Sequence, residues 1–219
     1  MSEFFSTNAV SLFLGIAALG LGLAFYFTWR RRKDLEELAA SMGLSFSAQG
    51  PEAYALEATG LEVFRQGRSR KATNLIQVSG PAGLMKFFDY KYVTGGGKNS
   101  STHRLTLALI ECGGCPVPNF DLKPESFIYK IGEMVGFKDI DLPAFPVFSD
   151  KYRLTGPDEA SVHMFFTPHR AAWFERTPGL SVQGAPGCMV LFKRDGALPV
   201  NAWQPFMEEA KIFSSEVLK

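Results

Sequence analysis

The residues here with the greatest chemical potential are a cysteine pair, Cys112 and Cys115 in "ECGGCP", and two histidines, His163 and His169. A C-x-x-C spacing serves thiol–disulfide exchange or half of a zinc site. Redox work needs the first cysteine at a helix N-terminus, where the dipole stabilises its thiolate. This pair instead follows a strand-like run and meets Pro116, Val117 and Pro118, so the sequence offers no helix. Zinc needs two further ligands, drawn from His103, His163, His169 and Cys188. His163 and His169, on either side of Thr167-Pro168, would complete a two-cysteine, two-histidine set if the fold carried them to that turn. The plainer reading makes the cysteines thiols in a turn, His163 a core or boundary histidine among Val162, Met164 and Phe165, and His169 a surface residue.

The other suggestive stretch is "TGGGKNSST", Thr94 to Thr102, glycines before a lysine and hydroxyls after it. A phosphate-cradling loop requires G-x-x-x-x-G-K-[ST] between a strand and a helix. Counting back from Gly97 reaches Tyr92, and Lys98 precedes Asn99, so the pattern fails twice. Phe88, Tyr90 and Tyr92 alternate before the loop, and Leu105, Leu107 and Leu109 after it, which makes it the tip of a β-hairpin. No nucleophile elbow, dinucleotide fingerprint or H-E-x-x-H pair occurs. Hence no catalytic or cofactor-binding residue is assigned, and no cofactor is expected.

The elements around these residues begin with an oily segment. Residues 9–29, "AVSLFLGIAALGLGLAFYFTW", carry no charge. At about 1.5 Å per residue they match a ~30 Å hydrocarbon core, so a transmembrane helix is expected there, after a short extracytoplasmic N-terminus over residues 1–8. A signal peptide would place its cations before the apolar run. Only Glu3 precedes it, and Arg30, Arg31, Arg32 and Lys33 follow it. The positive-inside rule therefore puts the N-terminus outside and the rest inside, the orientation of a single-pass inner-membrane protein. Of the net charge of +1, residues 1–33 hold +3, so the remainder carries −2 and lacks the footprint of a nucleic-acid binder.

Ser11, Gly15, Ala18 and Gly22 line one face of this helix with small residues, a surface for other transmembrane helices in a homo-oligomer or a larger membrane complex. The basic cluster, joined by Arg65, Arg68, Arg70 and Lys71 of "RQGRSRK", is a candidate contact for anionic membrane lipids. A solvated turn is the rival reading for the second group.

Residues 30–43 form a basic juxtamembrane helix with Leu35, Leu38 and Met42 on one stripe and Gly43 as its stop. It can continue directly from the membrane span. From residue 44 the period changes. Strands are expected around Leu44–Ser47, Leu61–Arg65, Asn74–Val78, Leu84–Val93 and Arg104–Glu111. After them come a helix from Pro124 with Phe127 and Ile131 on its stripe, and a loop over 141–152 packed by Phe145 and Phe148. A helix capped by Thr155 and another restarting at Thr167-Pro168 follow. The chain closes with a hairpin of Leu180–Gln183 and Cys188–Lys193 and a final helix capped by Asn201. The expected fold class is α+β: a transmembrane helix, then one antiparallel-sheet-centred cytoplasmic domain over residues 44–219.

The stretches "FFDYKYVTGGGKNSSTH", "VPNFDLKPESF" and "FSDKYRLTGPDEASVHMFFTP" resemble a family of uncharacterised bacterial single-span membrane proteins with a cytoplasmic α+β domain. The likeness runs from about Leu44 to the C-terminus. It implies a bacterial origin and a single domain, and it brings no established activity and no site residues. The Cys112–Cys115 pair is not part of the resemblance. Two functional expectations result. One is a non-enzymatic, membrane-anchored accessory or assembly subunit acting through protein–protein interaction. The alternative is a metal-binding or enzymatic module at the cytoplasmic membrane surface using the cysteine pair.

Overall fold

The computed structural model describes residues 2–125, 138–193 and 196–218, with side chains from Gly15 onward. A single helix, α1 (Ser2–Ser41), leads the chain. At 40 residues it is about 60 Å long, so the apolar run and the juxtamembrane stripe are one rod, as their compatible spacing allows. Gly43, at φ +69°, turns the chain out of it. Among the residues whose side chains are described, no helix is long and apolar enough to cross a membrane. From Gly15, the first described side chain, the oily run reaches its first cation at Arg30.

The strands are β1 (Phe46–Gln49), β2 (Arg68–Ser79), β3 (Leu84–Thr94), β4 (Ser101–Glu111), β5 (Phe120–Pro124), β6 (Tyr152–Thr155), β7 (Ser181–Ala185) and β8 (Cys188–Phe192). They form one eight-stranded antiparallel sheet in the order β1-β2-β3-β4-β8-β7-β5-β6. The α+β class with an antiparallel sheet thus stands. Period-two alternation sorts the side chains to two faces. From β3 and β4, Met85, Phe87, Ala108 and Ile110 enter the larger core. Phe88, Tyr90, Leu105, Leu107 and Leu109 enter the smaller one on the opposite face.

Helices cover the larger core. Leu35 and Ala39 of α1 are fully buried in it, with Leu38 and Met42 packed alongside. The closing helix α6 (Trp203–Val217) adds Phe206, Ala210, Phe213 and Val217, the expected stripe. Between β6 and β7 lie α4 (Glu159–Phe165) and α5 (Pro168–Arg176). Arg170 of α5 donates to the carbonyl of Val217 at 2.7 Å, capping α6 at its negative end, and its guanidinium stacks 4.2 Å from the Phe165 ring. The smaller core is closed by α2 (Ala53–Ala58), through Leu56, and by a 3₁₀ turn.

Several local expectations are corrected. Leu61–Arg65 is no strand: Glu62–Phe64 is the 3₁₀ turn, whose buried Val63 and Phe64 mimic a β pattern. The loop expected over 141–152 contains a helix, α3 (Pro146–Lys151), started by Pro146, with Phe148 buried as foreseen. Thr155 belongs to β6, and α4 is capped by Asp158, whose carboxylate accepts from Ser161 N. The residue before α6 is Ala202, without a side-chain cap, so Asn201 does not cap it. The helix expected over Phe127 and Ile131 lies outside the described residues, and Pro124, its expected start, ends β5.

Candidate functional site

The opening chemistry can be placed residue by residue. Cys112 directly follows β4, is buried, and donates its backbone N–H to Gly187 O; Cys115 sits half-buried in the turn beyond. Burial, reinforced by the hydrogen bond the Cys112 thiol makes to Cys115, pushes that thiol up to about 12, and burial pushes Cys188 up to about 11. Desolvation penalises thiolates. His163 stands 3.5 Å from Glu159 on its own helix, and His169 3.2 Å from Glu216 of α6. Among the described residues, no three His, Cys, Asp or Glu side chains gather closely enough to hold a metal ion. All three cysteines are free thiols.

The glycine loop joins β3 to β4 in continuous antiparallel register from Leu84–Glu111 to Thr94–Ser101. Gly95 sits at φ +71°, and a Cβ there would run into Asn99 O, so the glycine serves a tight turn rather than a phosphate. A single 3₁₀ turn, Gly97–Asn99, takes the place of the helix that a phosphate loop needs.

The "RQGRSRK" cations divide. Arg68 bonds Gly95 O and Ser100 of the β3–β4 turn, and Arg70 bonds Glu57 of α2 and Phe64 O of the 3₁₀ turn, so both are engaged within the domain. Arg65 is exposed. Lys71 borders a groove where α1 leaves the sheet. Within the basic cluster, Arg30 pairs with Asp34 and Lys33 with Glu36, both exposed, while Arg32 borders a second, smaller groove of 390 Å³ beside β1. Of the small residues of α1, Gly15, Ala18 and Gly22 face open space, and the Ser11 side chain lies outside those described.

The most highly built polar site is where α1 meets the sheet, and sequence reasoning did not foresee it. Asp89 of β3 receives Arg31 Nε at 2.7 Å and Arg31 Nη2 at 2.8 Å. Asn74 Nδ2 and Thr106 Oγ1 also donate to it, each at 2.9 Å. Asn74 reaches it from a β2 irregularity, at a φ of +58° that asparagine tolerates better than most residues. Arg31 Nη2 further donates to Leu198 O at 2.8 Å, and Leu198 N to Thr106 Oγ1 at 2.9 Å. A bidentate arginine–carboxylate pair with all its remaining lone pairs engaged sets both position and orientation. It locks α1 to the domain one turn before Leu35 enters the core.

Directly beside this clamp, a groove of about 520 Å³ opens between Ala24, Phe27 and Thr28 of α1 and the sheet residues Lys71, Lys91 and Arg104.

The chain matches no protein-family model and no curated protein. Among solved structures it is similar to the mycobacterial trehalose monomycolate transport factor A, TtfA. That likeness has a TM-score of 0.56 at 12% identity and covers 87% of this chain and 93% of that one. At that identity the likeness concerns the fold: an α+β architecture around an antiparallel sheet.

Proposed function

We propose that this protein is a membrane-anchored, non-enzymatic accessory subunit of a bacterial inner-membrane assembly, with its α+β domain held on the cytoplasmic side by α1. The supporting observation is the division of α1 into two unlike halves. Ile16, Leu19, Leu21, Phe25, Phe27 and Trp29 are 47–75% exposed, while Leu35 and Ala39 of the same helix are at 0%. Large side chains left bare all round a helix need an apolar surrounding. Tyr26 and Trp29 stand at the end of the run as interfacial anchors, immediately before the cations of Arg30 to Lys33.

The rigid passage from oily helix into domain core suits a subunit that transmits or fixes geometry at the membrane rather than one on a loose tether. The small face of Gly15, Ala18 and Gly22 is the surface on which a neighbouring transmembrane helix would pack. TtfA is named a transport factor, and by analogy of fold alone the assembly proposed here is a transport system.

Purification from native membranes in mild detergent tests this reading. The chain is expected to elute with a polytopic membrane protein in stoichiometric amount. Elution alone and monomeric would refute it.

A further inference from the structure

The sheet face toward α1 carries a row of like charges. Lys71 of β2 is the register partner of Lys91 of β3, and Lys91 is the partner of Arg104 of β4. Direct cross-strand partners stand about 5 Å apart at Cβ, and like charges so placed destabilise a sheet. All three are exposed, and none forms an ion pair among the described residues. The next row shows the contrast: Thr73, Asp89 and Thr106 are in register, and there the single charge is matched by Arg31. Among the described residues, the groove thus has one internally neutralised clamp and three cations with no counter-charge.

We propose that this groove binds an anionic membrane lipid, its headgroup across Lys71, Lys91 and Arg104 and an acyl chain along Ala24 and Phe27 of α1. The proposal rests on α1 being a membrane anchor and adds a specific lipid site to it. Charge complementarity selects the headgroup, and position selects a lipid over a free anion. The α1 residues that border the groove run from Ala24 to Arg31, a rise of about 10 Å. They straddle Trp29, so a bilayer whose interface lies at Trp29 sets its headgroup layer, roughly 5–7 Å deep, against the groove mouth. The groove wall is apolar on its helix side, through Ala24 and Phe27, and cationic on its sheet side. A single amphiphile can satisfy both. A lipid phosphate over the row would relieve the repulsion that the bare fold carries, and would brace the Arg31–Asp89 clamp from the membrane side.

The test uses the full chain in phosphatidylcholine nanodiscs doped with phosphatidylglycerol, with anionic lipid retained per chain read by native mass spectrometry. Wild type is expected to retain phosphatidylglycerol. The triple variant Lys71→Gln, Lys91→Gln, Arg104→Gln is expected to bind it roughly a hundredfold more weakly, at about fivefold per cation. A control triple variant of exposed cations elsewhere, Lys98→Gln, Lys138→Gln, Arg176→Gln, is expected to match wild type. Equal loss in both triples would overturn the site in favour of diffuse surface attraction. Displacement by soluble glycerol phosphate would overturn the lipid in favour of a free anion. Both triples and wild type are expected to float with neutral vesicles. If wild type does not, the anchor itself fails and the proposal with it, whereas flotation with equal phosphatidylglycerol retention in the groove variant refutes the site alone.

Discussion

Arg31 of the leading helix and Asp89 of the sheet form a two-pronged ion pair, with bonds of 2.7 and 2.8 Å, at the point where an exposed apolar helix becomes part of a domain core. The partners lie 58 residues apart in sequence, and their side chains are only 25% and 14% exposed. Removing either partner leaves a partly buried charge unpaired, and removing Asp89 also takes the acceptor from Asn74 Nδ2 and Thr106 Oγ1. Asp89→Ala is expected to cost about 2–4 kcal/mol in urea unfolding. A double-mutant cycle with Arg31→Ala should show strong coupling. Additive losses would mean that the pair does not act as a clamp.

A second link between helix and domain is apolar. Leu35→Ala would leave a cavity in the larger core and is expected to cost about 2–5 kcal/mol, whereas Leu19→Ala should leave domain stability unchanged. Equal effects in chemical unfolding would contradict the division of α1 into a free half and a packed half.

Alkali should unfold the domain through groups that burial keeps protonated. Tyr90 and Tyr152 are each pushed up to about 12 by burial, as is Cys112, and Cys188 to about 11. The unfolded chain releases these protons from about pH 8.5 for thiols and about pH 10 for phenols. The folded chain therefore holds more protons above that point, and its stability falls with rising pH. Urea midpoints are expected to be flat up to about pH 8.5 and to decline towards pH 12, less steeply in Tyr90→Phe. A flat profile to pH 11 would contradict the burial of these groups.

The cysteines provide a further check. At pH 8 the native protein is expected to alkylate at half-buried Cys115, with Cys112 and Cys188 reacting only after unfolding. The purified chain is expected to hold zinc well below one equivalent. Stoichiometric zinc lost on Cys112→Ser would contradict this and revive the metal-binding alternative.

What the sequence made legible was whatever periodicity encodes. Phe88, Tyr90 and Tyr92 alternating against Leu105, Leu107 and Leu109 pointed to the β3–β4 hairpin. The stripe of Phe206, Ala210, Phe213 and Val217 marked α6, and Leu35, Leu38 and Met42 marked the packed half of α1. Short elements misled. Val63 and Phe64 are buried by a 3₁₀ turn and read like a strand, while β6, only four residues long, was hidden beside Pro146 and Phe148. The clamp and the cation row were illegible for a different reason. Arg31 and Asp89, and Lys71 with Lys91 and Arg104, meet only through strand register and helix docking, and it is the β2 irregularity before Ile76 that brings Lys71 to the α1 face, where unbroken alternation from Ile76 would have put it on the opposite one. Only Lys71 and Arg31 had been singled out, through the density of charge around them.

The most direct test of the account is the sidedness of the domain. Protease added to intact spheroplasts is expected to leave residues 44–219 undigested, and the chain is expected to stay in the carbonate-washed membrane pellet. Digestion from outside, or release of the chain into the soluble fraction, would contradict the anchoring of this domain at the inner membrane face by α1.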